Sequence, residues 1–179
     1  MSDQTQLFHY TCPYRIMGLD LSLTGTGVVV LDAGEGKIVR AQTIGYSLDK
    51  DATEQQRLDR LVNLAAGIKT LIEETHPHVI VIEGHAYGAR FGGAALAELH
   101  GVVKVQIYYL TKQAPMVVAP KKARKVVLDD GAADKKKIGK IVRTLERHGV
   151  MEVEALGDHN QRDAWVLAEY ARRVHGTRD

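Results

Sequence analysis

The sequence of 179 residues contains one cysteine, four prolines and no long apolar run. The single cysteine, Cys12, excludes an internal disulfide and favours a reducing, intracellular setting. The absence of about 18 consecutive apolar residues argues against a membrane-spanning helix. Residues 1–13 lack a basic segment followed by an apolar one, so we expect an N-terminal tail and no signal peptide. These absences predict a cytoplasmic protein without a membrane partner.

Charge is unevenly distributed, although the net charge is only +2. Residues 120–147 contain ten Lys and Arg against four Asp and Glu, whereas the rest of the chain contains 14 against 18. A basic segment on an otherwise slightly acidic protein is typical of a contact with a polyanion. The alternative is a solvated helix face that binds nothing.

The apolar pattern predicts a single domain over residues 14–176, long enough for a sizeable buried core. Closely spaced β-like segments come first and favour an antiparallel meander of three strands. Later segments alternate between helix and strand, and the helix over 94–112 is nearly apolar all round, so we expect it to be deeply packed. The predicted strands are 14–21, 27–32, 37–44, 78–83 and 116–119, and the predicted helices are 54–75, 94–112, 121–128, 134–147 and 159–174. The expected fold class is α/β, with a mixed five-stranded sheet flanked by helices.

Three acidic residues occupy interior-facing positions on different elements. By alternation Asp20 shares a strand face with Gly18 and Ser22, Glu83 ends the apolar run VIVIE, and Asp163 lies on the inward stripe of the last helix. Burying a carboxylate is costly unless it is paired or binds a metal. The alternatives are a turn hydrogen bond for Asp20, a strand-end charge for Glu83 and a solvent-facing helix charge for Asp163.

Two further candidates precede the last aspartate. Asp158 forms a capping-box pattern with Gln161, so helix capping competes with a catalytic role. His159 is four residues before Asp163, so we expect it to share the same helix face and to act as a ligand or proton shuttle. Carboxylates without a Cys or His cluster suit Mg²⁺ or Mn²⁺. Two such ions, roughly 3.5–4 Å apart, can support phosphodiester hydrolysis.

The motifs GLDLSLTGTG, IEG and DHNQRDA resemble, in this order, those of the ribonuclease H-like nucleases. The sequence is most similar to the RuvC-type Holliday junction resolvases, and its DLSLT variant resembles bacteriophage-type members. The resemblance implies a ribonuclease H-like fold and a homodimer that cuts four-way DNA junctions symmetrically. It implies two Mg²⁺ ions, with Mn²⁺ able to substitute, held by Asp20, Glu83 and Asp163, and no small-molecule cofactor. The family's fourth acidic or histidine residue falls at Asn160, so Asp158 or His159 is the candidate replacement.

Candidate DNA contacts lie in two segments. The loop after Glu83 offers Tyr87, Arg90 and Phe91, which either stack on unpaired bases or pack against the next helix. The basic segment offers side chains that we expect to be exposed and to contact phosphates. These are Lys121, Lys122, Arg124, Lys125, Lys135, Lys136 and Lys137. The Ala-rich helix that follows the loop is the candidate dimer interface.

Three other functions are compatible with these motifs. A related nuclease acting on flaps, other branched DNA or RNA would use the same carboxylates. A kinase of the actin-like superfamily is a weaker alternative, because DLSLTGTG also resembles a phosphate-binding hairpin but such enzymes need two domains. A non-catalytic junction-binding module would leave three interior-facing acidic residues without a role.

Overall fold

The computed structural model describes residues 14–84, 93–134, 136–140, 142 and 156–175. Strands β1 (Arg15–Asp20), β2 (Thr26–Asp32) and β3 (Ile38–Ile44) form the predicted antiparallel meander. Strand β4 (Val79–Glu83) pairs in parallel with β1, and β5 (Met116–Val118) pairs in parallel with β4. The sheet order is β3-β2-β1-β4-β5. The predicted α/β class with a mixed five-stranded sheet is therefore confirmed.

Five helical segments flank the sheet in the described ranges. They are α1 (Glu54–Thr75), α2 (Gly93–Thr111), α3 (Pro120–Leu128), α4 (residues 136–140 and 142) and α5 (His159–His175). Helix α1 begins with a capping box, in which Thr53 and Gln56 satisfy each other's backbone N–H groups. It ends at His76, which has a left-handed φ of 45°. None of the helices in these ranges is long and apolar enough to cross a membrane.

Two apolar layers cover opposite faces of the sheet, because successive strand residues project to opposite sides. On one face, Ile16 and Val81 pack with the buried side chains of α5 and with residues of α3. On the other face, Met17, Leu19 and Ile82 pack with α1 and α2. Asp20, the last residue of β1, therefore projects to the same face as Ile16. Glu83, the last residue of β4, projects to the same face as Val81. Both strands thus end with a residue on the face that α5 covers.

Helix α5 approaches the sheet unusually closely at two glycines. A Cβ atom on Gly18 would lie 2.1 Å from the carbonyl oxygen of Ala164, and one on Gly27 would lie 2.1 Å from that of Asn160. Real Cβ atoms essentially never come within 3.0 Å of another atom in this way. The missing side chains of Gly18 and Gly27 thus let the start of α5 rest directly on β1 and β2.

An ion-pair cluster around the buried Glu169 links α5 with α3. Glu169 is buried and accepts hydrogen bonds from Arg172 Nε at 2.6 Å and Arg173 Nε at 2.8 Å. Burial by itself raises the pKa of Glu169, but the hydrogen bonds and charges of the two arginines outweigh it and hold that pKa below its usual range. Arg173 also donates to the carbonyl oxygen of Val126 at 2.9 Å, which ties the end of α5 to α3.

The expectation that the helix after the glycine loop is deeply packed is wrong. Leu99, Val103 and Ile107 of α2 are buried, but Val105 is 67% exposed and Tyr109 is 76% exposed. The reason is that α2 contacts α1 and the sheet through one stripe only, so its other apolar residues face outward. The predicted tail at residues 1–13 and the last part of the predicted helix 134–147 lie outside the described residues.

Candidate active site

Asp20 and Glu83 occupy neighbouring positions at the carboxyl ends of two parallel strands. Asp20 is the last residue of β1 and Glu83 is the last residue of β4. The residues immediately before them are paired across the two strands, which in a parallel sheet lie about 4.8 Å apart. Gly18 and Val81, two residues earlier, face α5. Alternation therefore directs both carboxylates to the face of the sheet that α5 covers.

Asp163 reaches the same face from α5. It is only 8% exposed, so its predicted inward orientation is confirmed and the solvent-facing alternative is wrong. The next residue, Ala164, directs its carbonyl oxygen at Gly18 of β1. Helix α5 thus places Asp163 next to the strand that ends in Asp20.

Arg124 is not the exposed surface cation that the sequence predicts. Its side chain is 25% exposed, and its Nη2 atom lies 3.6 Å from Oδ1 of Asp163. The cause is the position of Arg124 on α3, between Ala123 and Val127, two buried residues that pack against α5. Sequence reasoning missed this contact, because residues 124 and 163 lie on separate helices with no pattern that links them.

Asp158 caps helix α5 and also anchors it to strand β3. Its Oδ1 atom accepts a hydrogen bond from the backbone N–H of Gln161 at 2.9 Å, and its Oδ2 atom accepts one from the Thr43 hydroxyl at 2.6 Å. The Gln161 amide donates to the same hydroxyl at 3.2 Å, while its oxygen accepts from Gly157 N–H at 2.9 Å. The capping alternative for Asp158 is therefore confirmed, and Thr43 is a partner that the sequence did not reveal.

These contacts determine the ionisation of Asp158. Burial by itself raises the pKa of this carboxyl. The hydrogen bonds from Thr43 and from backbone N–H groups at the start of α5 outweigh burial, and the nearby His159 adds to their effect, so the pKa lies below its usual range. Asp158 is accordingly ionised at neutral pH and positions the start of α5.

His159 does not share the buried face of Asp163, so that expectation is wrong. His159 is exposed, whereas Asp163 is buried. The backbone oxygen of Asn160 rests on Gly27 and its side-chain amide lies against Gly25, which turns the preceding residue outward. Asn160, at the position where the family carries its fourth acidic or histidine residue, therefore borders the turn after β1.

The lysines of the basic segment mostly behave as expected. The predicted lysine contacts of α3 and α4 that lie within the described ranges are exposed: Lys121, Lys122, Lys125, Lys136 and Lys137. Two of them, Lys125 and Lys137, form ion pairs with aspartates that follow α3. Lys122 lies 5.9 Å from the centre of the Tyr170 ring. Ion pairs between exposed side chains contribute little to stability in water, so phosphates can replace the two aspartates readily.

The remaining predicted contacts fall outside the described residues. These are Tyr87, Arg90, Phe91 and Lys135. Their proposed contacts with DNA stay predictions.

The donor chemistry of the site fits a hard divalent cation. Asp20 and Glu83 offer carboxylate oxygens at adjacent positions, and such oxygens are the preferred ligands of Mg²⁺ and Mn²⁺. Across the described part of the chain, however, no three His, Cys, Asp or Glu side chains form a group that could hold a metal ion. The Arg124 guanidinium lies instead at Asp163, where it supplies the positive charge that a buried carboxylate needs.

Residues 16–154 match the model of the family described as Crossover junction endodeoxyribonuclease RuvC. The chain belongs to the RuvC family. The resemblance inferred from the sequence motifs is thereby confirmed.

Individual RuvC proteins support the assignment. The chain is 26% identical over 153 residues to RuvC of Corynebacterium diphtheriae, covering 85% of this chain and 90% of that protein. It is also 26% identical over 125 residues to RuvC of Corynebacterium efficiens, covering 69% of this chain but 55% of that longer relative. The chain thus spans about half the length of one RuvC relative and nearly all of another.

Solved RuvC structures share the fold. Thermus thermophilus RuvC superposes with a TM-score of 0.70 at 16% identity, covering 90% of this chain and 96% of that one. The same protein in complex with a Holliday junction substrate gives a TM-score of 0.69 at 14% identity, with the same coverage of both chains. At this identity the similarity concerns the fold alone, and it confirms the predicted ribonuclease H-like architecture.

Proposed function

We propose that this chain resolves four-way DNA junctions by metal-dependent hydrolysis of phosphodiester bonds. The observation that carries the proposal is the arrangement of Asp20 and Glu83 on adjacent strand ends, beneath the helix that brings in buried Asp163. Membership of the RuvC family supports the junction as substrate. We take residues 14–176 as one nuclease domain that works on DNA in the cytoplasm.

In the proposed site, Asp20, Glu83 and Asp163 hold the metal. Two Mg²⁺ ions, replaceable by Mn²⁺, would supply an activated water and stabilise the leaving oxygen. Asp20 and Glu83 are held by main-chain pairing of β1 and β4, so their spacing is fixed before metal arrives. Asp158 acts as a positioning residue, because its bonds to Thr43 and Gln161 fix the start of α5. His159 is exposed beside this start and stays a candidate for proton transfer to solvent.

Five exposed lysines of α3 and α4 are the proposed phosphate contacts. They are Lys121, Lys122, Lys125, Lys136 and Lys137. Counterion release gives a slope of about −0.9 in log K against log salt for each phosphate neutralised. Engagement of all five would therefore give a slope of about −4.5, and the predicted contacts at Arg90 and Lys135 would add to it.

We also propose a homodimer that uses the outward face of α2. Symmetric cleavage of two strands needs two active sites related by a two-fold axis. Gly101, Val105 and Tyr108 form an exposed stripe at helical spacing, with Tyr109 beside it. A Cβ on Gly101 would meet nothing within 4 Å, so space beside the helix is open for a second backbone. An exposed apolar stripe of this kind typically marks an interaction surface.

The dimer is tested by sedimentation velocity at several protein concentrations. Val105→Glu places a charge in the stripe and is expected to give a monomer that retains the wild-type far-ultraviolet circular dichroism. Val39→Glu is the matched control, because Val39 is exposed on β3 and lies outside the stripe. A wild-type monomer at all concentrations, or a Val105→Glu dimer as stable as wild type, would contradict this interface.

The proposed activity is tested by cleavage of a labelled synthetic four-way junction with Mg²⁺ or Mn²⁺. We expect paired symmetric nicks from the wild type, none from Asp20→Asn, and junction binding in EDTA by both proteins. Asp51→Asn is the matched control, because this aspartate is exposed in the turn before α1. Its cleavage should equal that of the wild type.

Two outcomes favour the alternative functions. Equal or faster cleavage of flap or RNA–DNA substrates would identify a related nuclease with a broader substrate range. Junction binding without cleavage by the wild type, with either metal, would leave a non-catalytic junction-binding module.

A further inference from the structure

The contact between Arg124 and Asp163 joins the proposed DNA-binding helix to the proposed metal site. The two side chains approach to 3.6 Å, and both are largely shielded, with side-chain exposures of 25% and 9%. Lys121, Lys122 and Lys125 on the same helix point to solvent. One cation of α3 is therefore turned inward, while its neighbours are available to phosphates.

The position of α3 makes this contact a fixed feature of the fold. Ala123 and Val127 bury the inner side of α3 against the α5 layer. Arg173 of α5 donates a hydrogen bond to the Val126 carbonyl oxygen at 2.9 Å, which fastens the helix at a second point. The backbone of Arg124 thus cannot withdraw from Asp163 while α3 stays docked, and only its side chain can swing away.

A metal ion at Asp163 and the guanidinium of Arg124 are mutually unfavourable. A Mg²⁺ ion coordinated by a carboxylate lies about 2.0–2.1 Å from the oxygen. The guanidinium would then lie only a few ångströms from a doubly charged ion in a partly shielded site, where repulsion between like charges is strong. Arg124 lowers the affinity of the DNA-free protein for the ion, unless another anion draws its side chain away.

A DNA phosphate is the anion placed to do this. The lysines of α3 would bring the backbone of the junction to the outer face of the helix, next to Arg124. Guanidinium groups bind phosphate through paired hydrogen bonds, which compensates for the lost contact with Asp163. Because coupling between two binding sites is reciprocal, DNA binding would raise metal affinity and metal would raise DNA affinity.

We infer that Arg124 is a built-in competitor of the catalytic metal at Asp163 and that a DNA phosphate displaces it, so that the metal site becomes complete only on the junction. This inference rests on the proposed function, since it takes Asp163 to be a metal ligand. It assigns to Arg124 a role in positioning and timing that differs from the general phosphate binding of the neighbouring lysines.

The test is Mn²⁺ binding to the protein without DNA, measured by isothermal titration and by the electron paramagnetic resonance signal of free Mn²⁺. Removal of one positive charge next to the ion predicts that Arg124→Gln binds Mn²⁺ about three- to tenfold more tightly than wild type. Arg124→Lys keeps the charge and should bind no more tightly than wild type. Lys125→Gln is the matched control on the same helix and should change Mn²⁺ affinity less than about twofold.

A second measurement tests the coupling. Wild type should bind Mn²⁺ several-fold more tightly when a four-way junction with non-hydrolysable backbone linkages is present, and Arg124→Gln should show a smaller gain. The inference is overturned if Arg124→Gln binds Mn²⁺ no more tightly than wild type, or if both proteins gain equally from DNA. If the wild type neither binds Mn²⁺ nor cleaves the junction, the proposed function is overturned instead. If the wild type cleaves the junction but Arg124→Gln binds Mn²⁺ with the same affinity as the wild type, only the inference is overturned.

Discussion

The contact between α5 and Gly18 predicts that a single methyl group disrupts the proposed active site. In Gly18→Ala the new Cβ atom would lie 2.1 Å from the Ala164 carbonyl oxygen and 2.8 Å from the Ala168 nitrogen. Both atoms belong to the backbone of α5, so no side-chain rotation can relieve the overlap. To restore a separation of 3.0 Å, helix and strand must move apart by about 1 Å. This movement takes Asp163 away from Asp20.

Two magnitudes follow from this displacement. Overpacking of a close-packed interior costs about 1–3 kcal/mol, so we expect the free energy of unfolding to fall by that amount. A displacement of about 1 Å between catalytic groups can lower a rate on the order of 100-fold. Gly18→Ala should therefore lose far more activity than its folded fraction accounts for.

Urea denaturation gives the stability, and junction cleavage under single-turnover conditions gives the rate. Gly93→Ala is the matched control, because a Cβ on Gly93 meets nothing within 4 Å. It should retain wild-type stability to within about 0.5 kcal/mol and retain full activity. If Gly18→Ala also keeps wild-type stability and rate, the close approach of α5 to β1 does not determine the geometry of the site.

Three further predictions concern the cap of α5, the ion pairs of Glu169 and the exposed lysines of α3. Asp158→Ala should lower the free energy of unfolding by about 1–2 kcal/mol, as measured in urea, because it removes a helix cap. Addition of Thr43→Val to that variant should cost less than Thr43→Val does in the wild type, because the hydroxyl has already lost its hydrogen bond to Asp158. The pKa of Glu169 is lower in the folded than in the unfolded protein, so its carboxylate stabilises the fold fully above the unfolded-state pKa. This stabilisation disappears as the pH falls through the folded-state pKa. Glu169→Gln should therefore flatten the decline of the urea midpoint from about pH 5 downwards. Lys121→Ala and Lys122→Ala should each reduce the salt slope of junction binding by about 0.9 and leave stability within about 0.5 kcal/mol of wild type, whereas an unchanged slope would exclude that lysine as a phosphate contact.

Local patterns predicted the elements whose signals lie within one segment. The predicted helix 54–75 coincides with α1, because its apolar spacing and its Thr53–Gln56 capping box are both encoded locally. Alternation along β1 predicted that Asp20 projects on the side of Gly18, since the period of a strand is two wherever the strand lies. The order of the motifs was sufficient to indicate the RuvC family.

Contacts between distant segments could not be predicted in the same way. The bond from Thr43 to Asp158 joins residues 115 positions apart, and the ion pair of Arg124 with Asp163 depends on how α3 docks on α5. His159 was misplaced because it is the first residue of α5, where the close approach of Asn160 to Gly27, and not helical spacing, determines the direction of the side chain. The exposure of Val105 was missed because a helix face that packs on the core and one that packs on a partner have the same apolar residue pattern.

The parallel pairing of β1 with β4 has a consequence for how the protein acquires activity. Asp20 and Glu83 become neighbours only when two strands separated by the meander and α1 pair in one register. A slip of one residue would turn Glu83 to the α1–α2 face while leaving both strands formed. Pairings between such distant segments form slowly, because the intervening chain must first be brought together. Refolding protein should therefore regain its helical circular dichroism before it can cut DNA. A molecule with the wrong strand register would have the circular dichroism of a folded protein but lack the proposed nuclease activity.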